Sequence, residues 1–283
     1  MQVLRTPQAL NRRLEPHRNK KNSVGFVPTM GFLHEGHLSL VRRSKKENDI
    51  TVVSIFINPL QFGPKEDLNR YPRNIKRDKS LLKKENTEFL FIPETRDVYA
   101  EDFQTTAKVG YLSGRLCGRS RPTHFQGVAT VVLKFLNMIK PSSLYLGQKD
   151  YQQFRVIEKM VEDLNLAVHV KMHPIVREKD GLAMSSRNVY LNKKDRAQAP
   201  VLYQALKAAV RAVKTGERNT SRIKAGMRQV LKKAGTLRLD YLEIVDARNL
   251  APVVTLDKNV RVVAALAGFF GPTRLIDNIL IKA

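Results

Sequence analysis

The amino-acid sequence predicts an α/β protein: a doubly wound parallel sheet followed by a smaller C-terminal α+β domain. Three observations lead there. Between about residues 23 and 176, apolar strand-like runs alternate with amphipathic helical windows, the pattern of successive βα units. The strand-like runs are continuously apolar rather than alternating, as strands covered on both faces are. After residue 176 two basic helical windows come as one block and strand-like segments follow as another, the texture of an α+β unit. A chain of 283 residues is long for one compact domain, so the domains are drawn at 1–176 and 177–283, with the boundary in "REKDGLAMSSRN".

The elements follow in order. "SVGFVPTM" (23–30) reads as a buried strand, and "GHLSLVRRSKKEND" (36–49) sets Leu38, Leu40 and Val41 on an apolar helical stripe opposite charges. "ITVVSIFIN" (50–58) is a β-branched run stopped by Asn58 and Pro59, as a central parallel strand would be. The helical window "NIKRDKSLLKKEN" leads to the strand "TEFLFIP", and "GVATVVLKFLNMIK" leads to "SLYLG". The amphipathic helix "DYQQFRVIEKMVEDLN" and the run "LAVHVKMHPIV" complete a Rossmann-like series. In the second domain the helical windows "DRAQAPVLYQALKAAVRAVKTG" and "TSRIKAGMRQVLKKAG" precede the strands "LRLDYLEIVDA" and "NVRVVAALAGFFG". No internal repeat or low-complexity stretch interrupts the series.

Composition narrows the function classes. No apolar run approaches the length needed to cross a bilayer, which argues against a membrane protein. The basic N-terminal stretch lacks the apolar core of a signal peptide, and the single cysteine, Cys117, allows no internal disulfide and no thiolate zinc site; a cytoplasmic address is expected. The net charge of +24 favours a polyanionic partner, whether nucleic acid, an acidic surface or a phosphorylated small molecule. The excess is spread over both halves rather than gathered in a tail. No aromatic platform is interleaved with the basic helices and Trp is absent, which argues against specific nucleic-acid binding.

Four clusters carry residues capable of chemistry. In "FVPTMGFLHEGHLSL", His34 and His37 stand three apart where a strand gives way to a helix, so both imidazoles can face the carboxyl end of the sheet, where open α/β sheets bind ligands. The helix start offers unpaired amides and a positive dipole end, with Gly36 leaving room for a phosphate. The spacing is not that of H-E-x-x-H and no Cys or His cluster accompanies it, so a phosphate contact is favoured over zinc or a core role. The second cluster, "NPLQFGPKEDLNRYPRN", puts Asn58 and Gln61 on a loop after a buried strand, where neutral amides suit a hydroxylated substrate or simply make a turn. In "LYLGQKDYQQF", Lys149 can reach a phosphate, Asp150 can cap the helix, and Gln153 shares the face of Asp150. In "GLAMSSRN", Ser185, Ser186 and Arg187 read as a phosphate clamp or a polar linker.

Together, "PTMGFLHEGHLSLV", "SIFINPLQFGPKEDLNRYPR", "RPTHFQGVATVV", "KDYQQ" and "DGLAMSSRN", in this order over residues 24 to 190, resemble the pantoate–β-alanine ligases (pantothenate synthetases) of the HxGH nucleotidyltransferase superfamily. Each motif alone is weak and the ordered set is specific. The resemblance implies ATP-dependent joining of pantoate and β-alanine through a pantoyl adenylate, in a homodimer whose C-terminal domain serves as a lid. It implies that His34, His37, Lys149 and Arg187 act on the phosphates, together with Ser185 and Ser186. It further implies that Gly147 and Asp150 meet ribose, Val176 and Met184 adenine, and Gln61 and Gln153 pantoate, with Asn58, Met30 and His124 nearby. Mg²⁺ is implied by the nucleotide. After "YPR" the family offers acidic residues where this chain reads "NIKRD", leaving Asp78 as the expected protein ligand.

Overall fold

A computed structural model describes residues 1–64 and 66–282. The chain divides into two compact units, one made of Met1–Gly114, Gly118–Gln148 and Gln153–Pro174, the other of Arg115–Cys117, Lys149–Gln152 and Ile175–Ala283.

The first unit carries a parallel sheet of six strands among the described residues: β1 (Gln2–Leu4), β2 (Val24–Thr29), β3 (Ile50–Ile55), β4 (Phe89–Phe91), β5 (Ser143–Gly147) and β6 (His169–His173). Their order across the sheet is β1-β4-β3-β2-β5-β6. The chain thus winds outward from β2 through β3 and β4, then resumes on the other side of β2 with β5 and β6. That reversal makes a switch point between β2 and β5, outside whose carboxyl ends an open α/β sheet forms its ligand crevice. The helices of this part of the chain are α1 (Pro7–Asn19), α2 (Glu35–Glu47), α3 (Ile75–Lys84), the single turns α4 (Thr95–Val98), α5 (Gly110–Ser113) and α6 (Cys117–Ser120), α7 (His124–Ile139) and α8 (Tyr151–Asp163).

The continuous apolar character of β2 and β3 is explained by burial on both faces. Val27, Val53 and Leu90 pack with Leu38 and Val41 of α2 and Leu82 of α3. On the other face the ring of Phe135 in α7 meets Phe26, Phe56 and Phe91 edge-on at 5.9, 5.8 and 5.8 Å. Edge-to-face pairs of this kind contribute about 0.5–1.5 kcal/mol each beyond their buried area.

The second unit contains α9 (Lys193–Gln198), α10 (Val201–Lys214) and α11 (Thr220–Leu231) over an antiparallel sheet of β7 (Leu237–Asp246), β8 (Arg261–Phe270) and β9 (Thr273–Lys282), ordered β7-β8-β9. Leu202, Ala205, Leu206, Ala209 and Val213 form the buried stripe of α10, joined by Ile223, Met227 and Leu231 of α11. The window at 195–216 is two helices instead of one, because Pro200 lacks an N–H and its ring excludes a continuous helix; α9 ends before it and α10 starts after it. No described helix is long and apolar enough to cross a membrane.

Candidate active site

In the first unit the end of β2 runs through Met30 into a tight loop and then α2. Gly31 and Phe32 both take positive φ, at 82° and 50°, and His34 is the N-cap of the helix. The His34 and His37 rings lie 4.0 Å apart, tilted by 36°. The backbone N–H of His34 donates to Nδ1 of His37 at 3.4 Å, so in a neutral His37 ring the proton sits on Nε2, a donor for a ligand. Both rings are partly exposed, unlike core histidines. The two rings thus lie one against the other at a helix N-terminus, where unpaired amides and the dipole favour anions.

The loop after β3 holds the amides. Gln61 ends a short 3₁₀ turn, Pro59–Gln61, that starts at Asn58. Both side chains are buried, at 8% and 1% exposure. The Nε2 of Gln61 donates to Sδ of Met30 at 2.8 Å, which ties the turn to the end of β2. Asn58 is fully engaged. Its Nδ2 donates to the Gly127 carbonyl at 3.0 Å and to Oε1 of Gln61 at 3.3 Å, while its Oδ1 accepts from the Leu60 N–H and the Tyr99 hydroxyl. Burial pushes the Tyr99 phenol well above its usual range, so it stays a donor. His124, at the start of α7, is bonded through Nδ1 to the Gln61 carbonyl at 2.8 Å, and Arg121 meets its Nε2 at 3.1 Å. The structure therefore brings Met30, Asn58, Gln61 and His124 together, with Asn58 and His124 directed at the turn that carries Gln61.

Arg121 and Glu66, which sequence reasoning missed, brace the same loop. The guanidinium donates to both Glu66 oxygens at 2.6 Å and to the Gln61 carbonyl at 3.2 Å. Burial pushes the Glu66 carboxyl up, but the Arg121 guanidinium overrides it and holds the acid below its usual range. The signal available was the i,i+3 pairing of Arg121 with His124 in "RPTH". Gly147 ends β5, at the switch point, paired with His173 of β6. Gln153 is a partly buried residue of the first turns of α8.

In the second unit Lys149 Nζ stands 3.7 Å from Oδ1 of Asp150, and the Lys149 carbonyl accepts from Asn278 at 2.9 Å. Val176 and Met184 face each other across a hairpin, with the Met184 N–H donating to the Val176 carbonyl at 3.0 Å. The hairpin turns at Gly181, whose φ of 94° only glycine adopts readily. Ser185 then caps the 3₁₀ turn Ser186–Tyr190, its hydroxyl accepting from the Arg187 N–H at 3.3 Å. The hydroxyl of Ser185 is thus partly committed to shaping the loop that presents Ser186 and Arg187.

Asp78, the expected magnesium ligand, has a different job. It is fully buried on α3, and its two oxygens accept the N–H groups of Phe32 and Leu33, each at 2.8 Å. Magnesium demands near-octahedral oxygen ligands and keeps several waters, which a sealed carboxylate already bonded on both oxygens does not suit. Among the described residues no group of three or more His, Cys, Asp or Glu is placed to hold a metal.

The strand beside the switch point of the parallel sheet thus leads into the helix start that carries His34 and His37, and the strand next to it leads into the turn of buried amides. The family model for pantoate-beta-alanine ligase matches residues 2–280. Pantothenate synthetases of Pseudothermotoga lettingae and Thermotoga petrophila are 56% and 52% identical, over 93% and 99% of this chain and 92% and 100% of their own. The crystal structure of pantothenate synthetase from Thermus thermophilus superposes with a TM-score of 0.94 at 43% identity, covering all of both chains. The pantoate-beta-alanine ligase of Francisella tularensis, complexed with beta-gamma ATP and beta-alanine, gives 0.80 at 33% identity, over 99% of this chain and 97% of its own. The chain belongs to the pantoate-beta-alanine ligase family.

Proposed function

We propose that this chain condenses pantoate with β-alanine at the expense of ATP, giving pantothenate, AMP and pyrophosphate. The observation that carries the reading is the pairing of a stacked HxGH couple with a buried Gln61 turn on adjacent strands of one sheet, in a chain of this family. The histidines and the turn answer to the two partners of a first step, a triphosphate and a small hydroxy acid.

In that step a pantoate carboxylate oxygen attacks the α-phosphorus of ATP, the bond to the bridging oxygen breaks, and pyrophosphate leaves. The neutral amine of β-alanine then attacks the acyl carbon of the pantoyl adenylate, the acyl–oxygen bond breaks to release AMP, and the nitrogen gives up one proton to solvent as the amide forms. Neither step needs a protein nucleophile. What they need is alignment of the reactants and stabilisation of charge building on phosphate oxygens. His37, through Nε2–H, and His34 serve that charge, with Lys149, Ser185, Ser186 and Arg187. Gly147 and Asp150 take the ribose, and Val176 and Met184 the adenine. Gln61 and Gln153 hold the pantoate hydroxyl and carboxylate, and amides do so without forcing a fixed charge beside an attacking carboxylate. Magnesium enters with the nucleotide. The working form is a homodimer in the cytoplasm.

Pyrophosphate exchange into ATP tests the reading. Exchange that requires pantoate, followed by pantothenate release on adding β-alanine, supports it. Exchange only with a phosphorylated acceptor would make the chain an adenylyltransferase of another kind, since such an acceptor needs cations where Gln61 and Gln153 stand.

A further inference from the structure

The Gly31–Leu33 loop places His34 at the helix start, and its backbone is strained. Phe32 takes a φ of 50°, a left-handed conformation that disfavours a residue with a Cβ by about 1–2 kcal/mol. Such a conformation persists only where the surroundings over-determine it. Two consecutive residues of α3 supply the constraint. Asp78 accepts the Phe32 and Leu33 N–H groups at 2.8 Å each, while the Arg77 guanidinium donates to the Leu33 carbonyl at 2.8 Å and lies over the Phe32 ring, 5.5 Å from its centre. The main chain just ahead of His34 is thus gripped at two donors, one acceptor and one ring by a single turn of helix. Gly31 completes the fit, because a Cβ there would meet Ile55 at 2.9 Å and the Asp78 carboxylate at 3.2 Å.

We propose that Asp78 and Arg77 are a positioning pair that holds the Gly31–Leu33 loop, and through it the two imidazoles, in the geometry adenylation requires, and that Asp78 is not a ligand of the nucleotide's magnesium. The inference rests on the reading of function above for its kinetic consequence, and on the bonds to Phe32 and Leu33 for its structural one. A carboxylate used on both oxygens by backbone donors fixes a loop far more tightly than a surface contact, because breaking either bond leaves a buried group unsatisfied. Because the imidazoles act by aim, a displacement of about 1 Å suffices to cost on the order of 100-fold in rate.

The test is Asp78→Asn in the full chain, which keeps the shape but turns an N–H donor toward one of the two amides. Hydrogen exchange at the Phe32 and Leu33 amides should accelerate at least about tenfold. Pantoate-dependent pyrophosphate exchange should fall on the order of 100-fold. The Mg²⁺ concentration for half-maximal rate should stay within about twofold, and aminolysis of supplied pantoyl adenylate by β-alanine should fall far less than adenylation, since only the first step needs the imidazoles on a triphosphate. An unchanged adenylation rate overturns the proposal, as does recovery of that rate at high Mg²⁺, which would make Asp78 a metal ligand. Equal loss in both half-reactions would mark a general structural role and overturn it too. Should the variant fail to fold, Arg77→Met removes the other half of the grip at a half-exposed position; it should cost about tenfold in adenylation with Mg²⁺ dependence unmoved, and a wild-type rate would refute the pair. If the unaltered chain shows no pantoate-dependent exchange, the reading of function fails, and the amide exchange contrast still decides whether the grip exists.

Discussion

Replacing Gly127 by Ala probes the pantoate side through backbone geometry alone. Gly127 lies in the first turn of α7, against the 3₁₀ turn that carries Gln61. A Cβ built there falls 2.2 Å from the Leu60 carbonyl oxygen, 2.4 Å from its carbon and 2.7 Å from the Gln61 nitrogen. A carbon and a carbonyl oxygen ordinarily approach to about 3.3 Å, so the shortfall is about 1 Å. Neither party is a flexible side chain, so helix or turn has to move by that amount. The turn cannot simply retreat, since the Asn58 amide ties it to the Gly127 carbonyl at 3.0 Å. A shift of about 1 Å in the segment that presents Gln61 predicts a fall in kcat/KM for pantoate on the order of 100-fold. Overpacking of this kind also lowers stability by about 1–3 kcal/mol. The assay is pantoate-dependent pyrophosphate exchange with each substrate varied in turn. Loss should appear against pantoate, with the KM for ATP within about twofold, because the α2 start is not in the contact. A folded Gly127→Ala chain with wild-type pantoate kinetics would refute the claim that the turn is held in register by α7.

Three further outcomes are expected. His37→Ala should cut adenylation at least about 100-fold, the scale of losing one oriented donor to developing charge, with the fold intact by circular dichroism; a near-normal rate would remove the role given to Nε2–H. Hydrogen bonds from Arg43 and Lys171, with one from Tyr145, hold the Glu47 carboxyl at about 2, against an ordinary 4.5. A depressed acid adds stability that is present above 4.5 and is lost as pH falls toward 2, so Glu47→Gln should cost about 0.5–1 kcal/mol at pH 7 in urea unfolding, small because the site is wet, and the gap should close over that window. In the second unit Arg177 donates to both oxygens of Asp277, at 2.7 and 2.9 Å, yet burial pushes the Asp277 carboxyl up more than Arg177 pulls it down. Arg177→Ala strands that acid and should cost about 3–5 kcal/mol at pH 7. A raised acid loses stability as pH rises through its folded value, so part of the loss should be regained at acid pH; a pH-independent deficit would contradict the assignment.

The parallel sheet was legible because its strands are buried on both faces and its helices keep an apolar stripe, both of which are local patterns. The edge strand β1 and helix α1 were not, since β1 is three residues and α1 buries only Leu10 and Leu14 among basic neighbours and contains Pro16. Strand β9 hid for a different reason. Its buried positions include Asp277 and Asn278, which break the apolar pattern, and the partner that makes Asp277 tolerable lies 100 residues away. The same distinction runs through the site. His34 and His37 announce themselves by spacing within one turn, and Gln61 by its place after a strand. Asp78, Glu66 with Arg121, and Gly127 act across 45 to 69 residues of sequence, and nothing local distinguishes an acid that grips a loop from one that binds a metal.

The supports share a logic that follows from the chemistry. An enzyme that makes and breaks an acyl–phosphate bond without a covalent link to the protein has only aim and charge placement to offer, so small errors of position translate directly into rate. The Gly31–Leu33 segment ahead of His34 and the turn that carries Gln61 both follow strands as loops, which are the least rigid parts of a parallel sheet. In each case the remedy is a buried polar residue that bonds the loop's main chain: Asp78 takes two N–H groups ahead of His34, while Asn58 joins the Leu60 amide to the Gly127 carbonyl beside Gln61. Because a buried donor or acceptor left unpaired costs about 1–3 kcal/mol, each such residue gives its loop a single permitted arrangement. Asp78 and Asn58 grip different main-chain groups, and the Gln61–Met30 contact is a link between the two segments, so a defect in one grip reaches one reactant before the other.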